Sequence, residues 1–241
     1  MATNAVSRPS SERLRVWDLP LRLFHWLLAV AVAVALLSAE EGSPLNDWHI
    51  LSGWVAGVLV VFRIVWGFVG GEHSRFLSFV KPSALGRHVR DLLRGRPEAT
   101  IGHNALGALS VILLLAMVAA TVWTGAILAE DVHELLGWSL LALVVIHVLA
   151  VVAMSLLTRE NLVRAMVDGT KPADRHPAGG DARAPGPFAY LAGAVAIGAA
   201  AWGVANYDPQ AFTLRSVESY EHRDQTQLFG DTERLREHDE D

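Results

Sequence analysis

His133-Glu-Leu-Leu-Gly-Trp-Ser-Leu-Leu-Ala-Leu-Val-Val-Ile-His147 sets two histidines fourteen residues apart at the ends of an apolar run. On a helix turning about 100° per residue, fourteen steps bring the second imidazole within about 40° of the face of the first. The same steps move it roughly 21 Å along the axis, so one helix can serve two sites at two depths. An imidazole amid Leu, Val and Ile also needs a partner that offsets its burial.

The composition around this stretch is that of a membrane protein. Of 241 residues 52% are apolar and the formal net charge is -5. Uncharged runs at Leu23–Ala39, Trp48–Phe62, Asn104–Ala129, Leu135–Leu157 and Pro187–Asn206 mostly suit a hydrocarbon core of about 30 Å. The first run follows arginines, as a signal peptide would. It exceeds the usual apolar region of one, lacks a small-x-small cleavage site, and reads as a span. The fold class expected is therefore all-α: a four-helix transmembrane bundle plus a fifth, C-terminal transmembrane helix.

The connections alternate in charge. Met1–Arg22, Gly70–Ile101 and Thr158–Gly186 carry four, six and five basic residues, while Glu40–Asp47 and Glu130–Glu134 carry none. The positive-inside rule then puts the N terminus in the cytoplasm and the two acidic loops outside. One further span delivers the tail from Tyr207 to Asp241, with ten acidic and four basic residues, to the outer face. The organisation read from this is an N-terminal segment at 1–15, a four-helix unit at 16–170, a linker at 171–186, a fifth helix at 187–206 and an acidic tail at 207–241. A multi-pass membrane protein is expected, with lipid as a partner, no nucleic acid, and a C terminus on the outer face.

Depth sorts the remaining histidines. His25, after Arg22 at the start of the first span, lies level with His147; His49, at the start of the second, lies level with His133. Two inner and two outer imidazoles form two bis-histidine sites stacked across the membrane, and a hydrogen-bonded polar core is the competing reading. Structural zinc fits poorly, since it wants four ligands at one site. The chain has no cysteine, which excludes thiolate-bound iron-sulfur clusters and covalently attached c-type haem. Gly53 and Gly57, four and eight residues after His49, share its face and admit either a planar group or another helix. Arg63, fourteen residues after His49, either pairs with a haem propionate or snorkels to lipid headgroups. His103, beside Asn104 at the inner edge of the third span, is a spare ligand or a propionate or quinone contact. His73 and His88 sit among arginines as solvated surface residues.

Trp17-Asp18 with Arg22 and His25-Trp26, Trp48-His49 with Gly53 and Arg63, His103-Asn104 with Gly107, Thr124-Gly125, His133 with His147, and Asn161-Leu162 with Ala165-Met166 together resemble the bacterial cytochrome b561 family. That family includes the cytochrome b subunits of nickel-iron hydrogenases. The likeness covers about residues 13–170. It implies two non-covalent b haems with His25, His49, His133 and His147 as axial ligands, and adds Arg22, Gly53, Gly57, Arg63, His103 and Asn104 to the cofactor-binding set. It also implies a bacterial inner membrane with a periplasmic C terminus, and electron exchange with quinone or a partner protein such as a dehydrogenase or hydrogenase; a basic soluble carrier such as a c-type cytochrome is what the acidic outer tail would attract. Two histidines on an iron leave no open position for oxygen, which suits electron transfer. The competing functions are a small-molecule oxidoreductase, in which superoxide for example meets the outer haem, and a non-redox scaffold or transporter. The fifth helix and acidic tail depart from the plain four-helix pattern.

Overall fold

The computed structural model describes residues 12–40, 45–79, 90, 100–177 and 179–214. Helix α1 (Leu19–Leu37) starts at Asp18, whose carboxylate accepts a hydrogen bond from the Leu21 N–H at 2.9 Å. Pro20 sits in its first turn, where a missing N–H breaks no helical bond. The helix stops at Ser38, whose N–H and hydroxyl both return to the Val34 carbonyl. Helix α2 (Asn46–Val69) runs back, and a single turn, α3 (Phe76–Phe79), follows.

Helix α4 (Ala105–Ala126) is capped by Asn104, whose Oδ1 accepts from the Gly107 N–H at 2.7 Å. Helix α5 (Glu130–Thr158) begins five residues before the apolar run and takes up the whole expected acidic loop. The cause is local: Glu130 and Asp131 fall in the first turn, where carboxylates meet the positive end of the helix dipole. The short helix α6 (Leu162–Asp168) is capped by Asn161 and ends at Gly169. Gly169 has φ +82, and a Cβ there would lie 2.8 Å from the Trp17 carbonyl, so the site demands glycine. Helix α7 (Pro187–Tyr207) opens with proline in its first turn.

Among the described residues five helices, α1, α2, α4, α5 and α7, are long and apolar enough to cross a membrane. Their large apolar side chains point outward, with Leu23, Leu149, Phe188 and Trp202 all exposed. In water such a surface would aggregate; in lipid it is matched by hydrocarbon. The protein is an all-α integral membrane protein. His88 and the tail beyond residue 214 lie outside the described residues, as does the amphipathic piece at 84–93 apart from Arg90.

The helices pack as α1 on α2 and α4 on α5, with α2 joining the pairs through α4 and carrying α7 alongside. Two apolar clusters result. One gathers Leu21, Phe24, Leu59, Phe62, Trp66 and Ala189 at the end that carries the basic connections. The other joins Ala31 and Val32 of α1, Ala56 and Val60 of α2, Val118 of α4 and Leu140 of α5 in mid-bundle.

A polar cap that sequence patterning does not reveal closes the basic end. Strands β1 (Arg13–Arg15) and β2 (Thr170–Pro172) pair antiparallel, Leu14 opposite Lys171. Residues on either side of the four-helix unit thus meet, too few to show a strand period. Beneath them Glu160 pairs with the Lys171 ammonium at 3.3 Å and with His176 at 2.8 Å, all three groups buried. Burial lowers the pKa of Lys171 and its pairing with Glu160 opposes that shift.

Asp18 ties the cap to the bundle. Besides Leu21 it accepts from Trp66 Nε1 at 3.1 Å, the Gly71 N–H at 3.1 Å and the Ser74 hydroxyl at 2.5 Å. One carboxylate thereby joins the start of α1, the end of α2 and the turn beyond it.

Candidate functional site

The four spanning histidines fall in two groups, one on each side of the mid-bundle cluster. Toward the acidic end, the His49 and His133 rings lie with centroids 5.7 Å apart and planes at 87°. Each is oriented by a backbone carbonyl: His49 Nδ1 lies 2.8 Å from the Ala35 oxygen and His133 Nδ1 2.9 Å from the Thr121 oxygen. A carbonyl only accepts, so the proton belongs on Nδ1 in both rings. The neutral ring then keeps a lone pair on Nε2, the state that binds metal. A Cβ on Gly125 would lie 2.9 Å from His133 Cε1, which explains a glycine where α4 meets this imidazole.

Toward the basic end, His25 of α1 and His147 of α5 lie close enough to interact electrostatically. His147 Nδ1 is 2.9 Å from the Ser110 hydroxyl. His25 Nδ1 is buried without a partner, and its ring stands edge-on to Trp26 at 5.1 Å between centroids. His49 and His133 are thus ring neighbours, while His25 and His147 are electrostatic neighbours with His103 also in range of His147.

The flanking residues divide. Arg63 is 1% exposed, so it does not reach the lipid headgroups. Its guanidinium lies 4.5 Å from the Phe76 ring centre, a cation–π distance, and interacts electrostatically with Asp18. Both terminal nitrogens are buried without hydrogen-bond partners. A buried cation with two idle donors is costly unless an anion meets it. Gly53 faces open space, with nothing within 4 Å of a Cβ built on it. At Gly57 a Cβ would lie 3.1 Å from Val122 of α4, so that glycine serves helix packing.

Asn104 is occupied as the α4 cap, and Arg22 donates to the Val167 carbonyl at the end of α6 while its Nε stays buried and unpartnered. His103 lies between Trp17 at 4.7 Å and Phe79 at 4.5 Å between ring centres, tilted to both. Burial drives its pKa down to about 3, assisted by the charges of Arg63 and Lys171. His73 is no solvated surface residue: it is half-buried beside Trp17, and burial lowers its pKa against the pull of Glu72.

The arrangement fits an iron porphyrin. Two imidazoles bound through Nε2 to one metal at about 2.0–2.1 Å each have ring centres roughly 6 Å apart, close to the His49–His133 separation. The open face at Gly53 and the unanswered Arg63 suit a planar group with anionic edges. Among the described residues no cluster of three or more His, Asp or Glu side chains offers a different metal site. Reading the sequence missed the groups that orient the ligands: Ser110, a hydroxyl in a largely apolar span, is a readable signal, whereas the backbone carbonyls of Ala35 and Thr121 leave none.

A family model described as prokaryotic cytochrome b561 matches residues 16–169. A probable Ni/Fe-hydrogenase B-type cytochrome subunit of Rhizobium leguminosarum is 22% identical, the alignment covering 71% of this chain and 95% of that one. Its counterpart in Azotobacter vinelandii is 26% identical over 64% and 86%. A probable Ni/Fe-hydrogenase 1 B-type cytochrome subunit of Escherichia coli K12 is 24% identical over 64% and 88%. No solved structure matches the chain.

Proposed function

The chain belongs to the prokaryotic cytochrome b561 family and transfers electrons in a membrane through b-type haem, and from that premise we propose that it holds two haems. His49 and His133 bind one, His25 and His147 the other. The observation that carries this reading is the sorting of four imidazoles into two pairs on either side of a packed layer. Each haem, held by its two histidines, would supply a one-electron iron couple.

The protein's own groups do the rest. The Ala35 and Thr121 carbonyls and the Ser110 hydroxyl hold three of the imidazoles in orientation. Arg63 meets an anionic edge of the haem at the basic end. Gly53 leaves room for a porphyrin face.

Electrons pass between the quinone pool and a redox protein that docks at the acidic end of an inner-membrane protein whose basic end is cytoplasmic. Support for the protein partner is of two kinds. The relatives are named as hydrogenase cytochrome subunits. The acidic end exposes Glu40, Glu130, Asp131 and Glu134, a face that attracts a basic docking surface. The partner is therefore a hydrogenase or a carrier of similar charge.

Haem counting tests the reading. Fully loaded protein should yield two haems per chain, released by acidified organic solvent because no cysteine anchors them. His49→Ala and His133→Ala should remove the same spectral component, and His25→Ala and His147→Ala the other. One haem per chain, or a component shared by His25→Ala and His49→Ala, refutes the assignment.

A further inference from the structure

At the basic end of α5 a groove of about 600 Å³ opens on the surface, lined by Val152, Leu156, Val163 and Val167 with Arg159 and Arg164 among its polar residues. We infer that it holds one anionic phospholipid, its phosphate between Arg159 and Arg164 and its acyl chains along the apolar wall.

The wall is built for hydrocarbon. Helix α6 should bury Val163 and Val167, one turn apart, yet leaves them 47% and 55% exposed, and Leu156 on α5 is 75% exposed. These three side chains line the same groove. An apolar strip beside paired guanidinium groups, at the end of a spanning helix, has the two-part chemistry of a phospholipid.

The charges at the groove sum to positive. Asp168 is shared by Arg13 at 3.0 Å and Arg164 at 3.2 Å, so one carboxylate meets two cations. Its pKa is lowered: burial opposes the shift, and the Thr170 hydrogen bonds with both arginines outweigh it. Glu160, which also lines the groove, is already paired with Lys171 and His176. Arg175 donates to the Thr158 carbonyl at 3.4 Å, bringing another cation to the end of α5. Arg159 is exposed, and no acidic group pairs with it among the described residues. Arg159 is left for the phosphate, and Arg164, which shares its one carboxylate with Arg13, adds a second guanidinium; charge-assisted bonds from such groups are the strong kind.

This inference rests on membrane insertion and not on the haem assignment. The test is native mass spectrometry of the haem-loaded protein in detergent, titrated separately with phosphatidylglycerol, phosphatidylcholine and inorganic phosphate. One phosphatidylglycerol per chain should be retained in preference to phosphatidylcholine. Each arginine removed should weaken retention about fivefold. Arg159→Gln is the cleaner variant because it breaks no ion pair, and Val163→Asn probes the wall. An unchanged visible spectrum in every variant shows that the fold is kept. Equal retention of both lipids, or no loss in Arg159→Gln, overturns the inference. Inorganic phosphate that competes as well as lipid, with Val163→Asn silent, reduces the site to an anion site and overturns the lipid assignment.

Discussion

Asp18 should be among the most sensitive carboxylates outside the spans, and the structure allows its worth to be worked out. Its oxygens accept from the Leu21 N–H at 2.9 Å, Trp66 Nε1 at 3.1 Å, the Gly71 N–H at 3.1 Å and the Ser74 hydroxyl at 2.5 Å. Asp18→Ala removes the α1 cap, worth about 1 kcal/mol. It also strands Trp66 and Ser74, each 1% exposed, at about 1–3 kcal/mol per buried donor. Allowing for relaxation and entry of water, the loss is roughly 3–5 kcal/mol. Asp18→Asn keeps one acceptor oxygen for Leu21 and Trp66 and turns an amide toward Gly71 and Ser74, so its cost is about 1–2 kcal/mol. The assay is reversible denaturation in mixed micelles followed by far-ultraviolet circular dichroism, which reads the helices in every variant. A double-mutant cycle with Trp66→Phe should return a coupling above about 0.5 kcal/mol. Additive effects of Asp18→Ala and Trp66→Phe, or equal losses for Ala and Asn, would refute the shared-acceptor argument.

The remaining predictions concern the buried charges and the porphyrin face. Arg63→Leu removes a cation that favours the more negative reduced state; at an assumed 10 Å and effective dielectric of 20 it is worth roughly 1.7 kcal/mol, about 70 mV. Redox titration should show one haem falling by that order and the other nearly still. Gly53→Leu fills open space, so the protein without haem should unfold at an unchanged denaturant concentration while reconstitution yields less haem. Glu160→Gln leaves Lys171 buried beside a neutral group and should cost about 3–5 kcal/mol; Glu160→Leu with Lys171→Met should recover most of it, which the same denaturation assay reads.

The architecture was readable because hydropathy in a membrane is nearly a one-variable problem: a run long enough to span must form a helix, and its ends follow charge. The histidine spacing was readable for a related reason, since helical periodicity converts residue number into depth and face. What was not readable depends on contacts made across the sequence. Gly53 and Gly57 look alike along the chain, and only the approach of Val122 separates a packing glycine from an open one. Asn104 and Arg22 have structural bonds that the sequence does not show, to the Gly107 N–H and the Val167 carbonyl, and Arg22 still keeps a buried Nε without a partner. Arg63 was ambiguous because an arginine near a helix end can turn either way. The ring of Phe76 and the charge of Asp18 lie on the inner side and hold it there.

The mid-bundle layer gives the two levels their meaning. Val32 follows His25 by seven residues, Ala56 follows His49 by seven, and Leu140 stands seven from both His133 and His147. Seven residues are about two helical turns, roughly 10 Å, with a drift of only about 20° in face. Each histidine therefore stands over or under the same packed plane, where Ala31, Val32, Ala56, Val60, Val118 and Leu140 meet and are 9% exposed or less. All six are apolar, so the plane offers water no hydrogen-bond partner and gives a proton no route. Electrons need only proximity between centres, whereas protons need a chain of donors and acceptors. With haems held at the two imidazole pairs, as proposed, such a layer would keep two one-electron centres apart while offering protons no route between them, so proton chemistry would stay at the two ends.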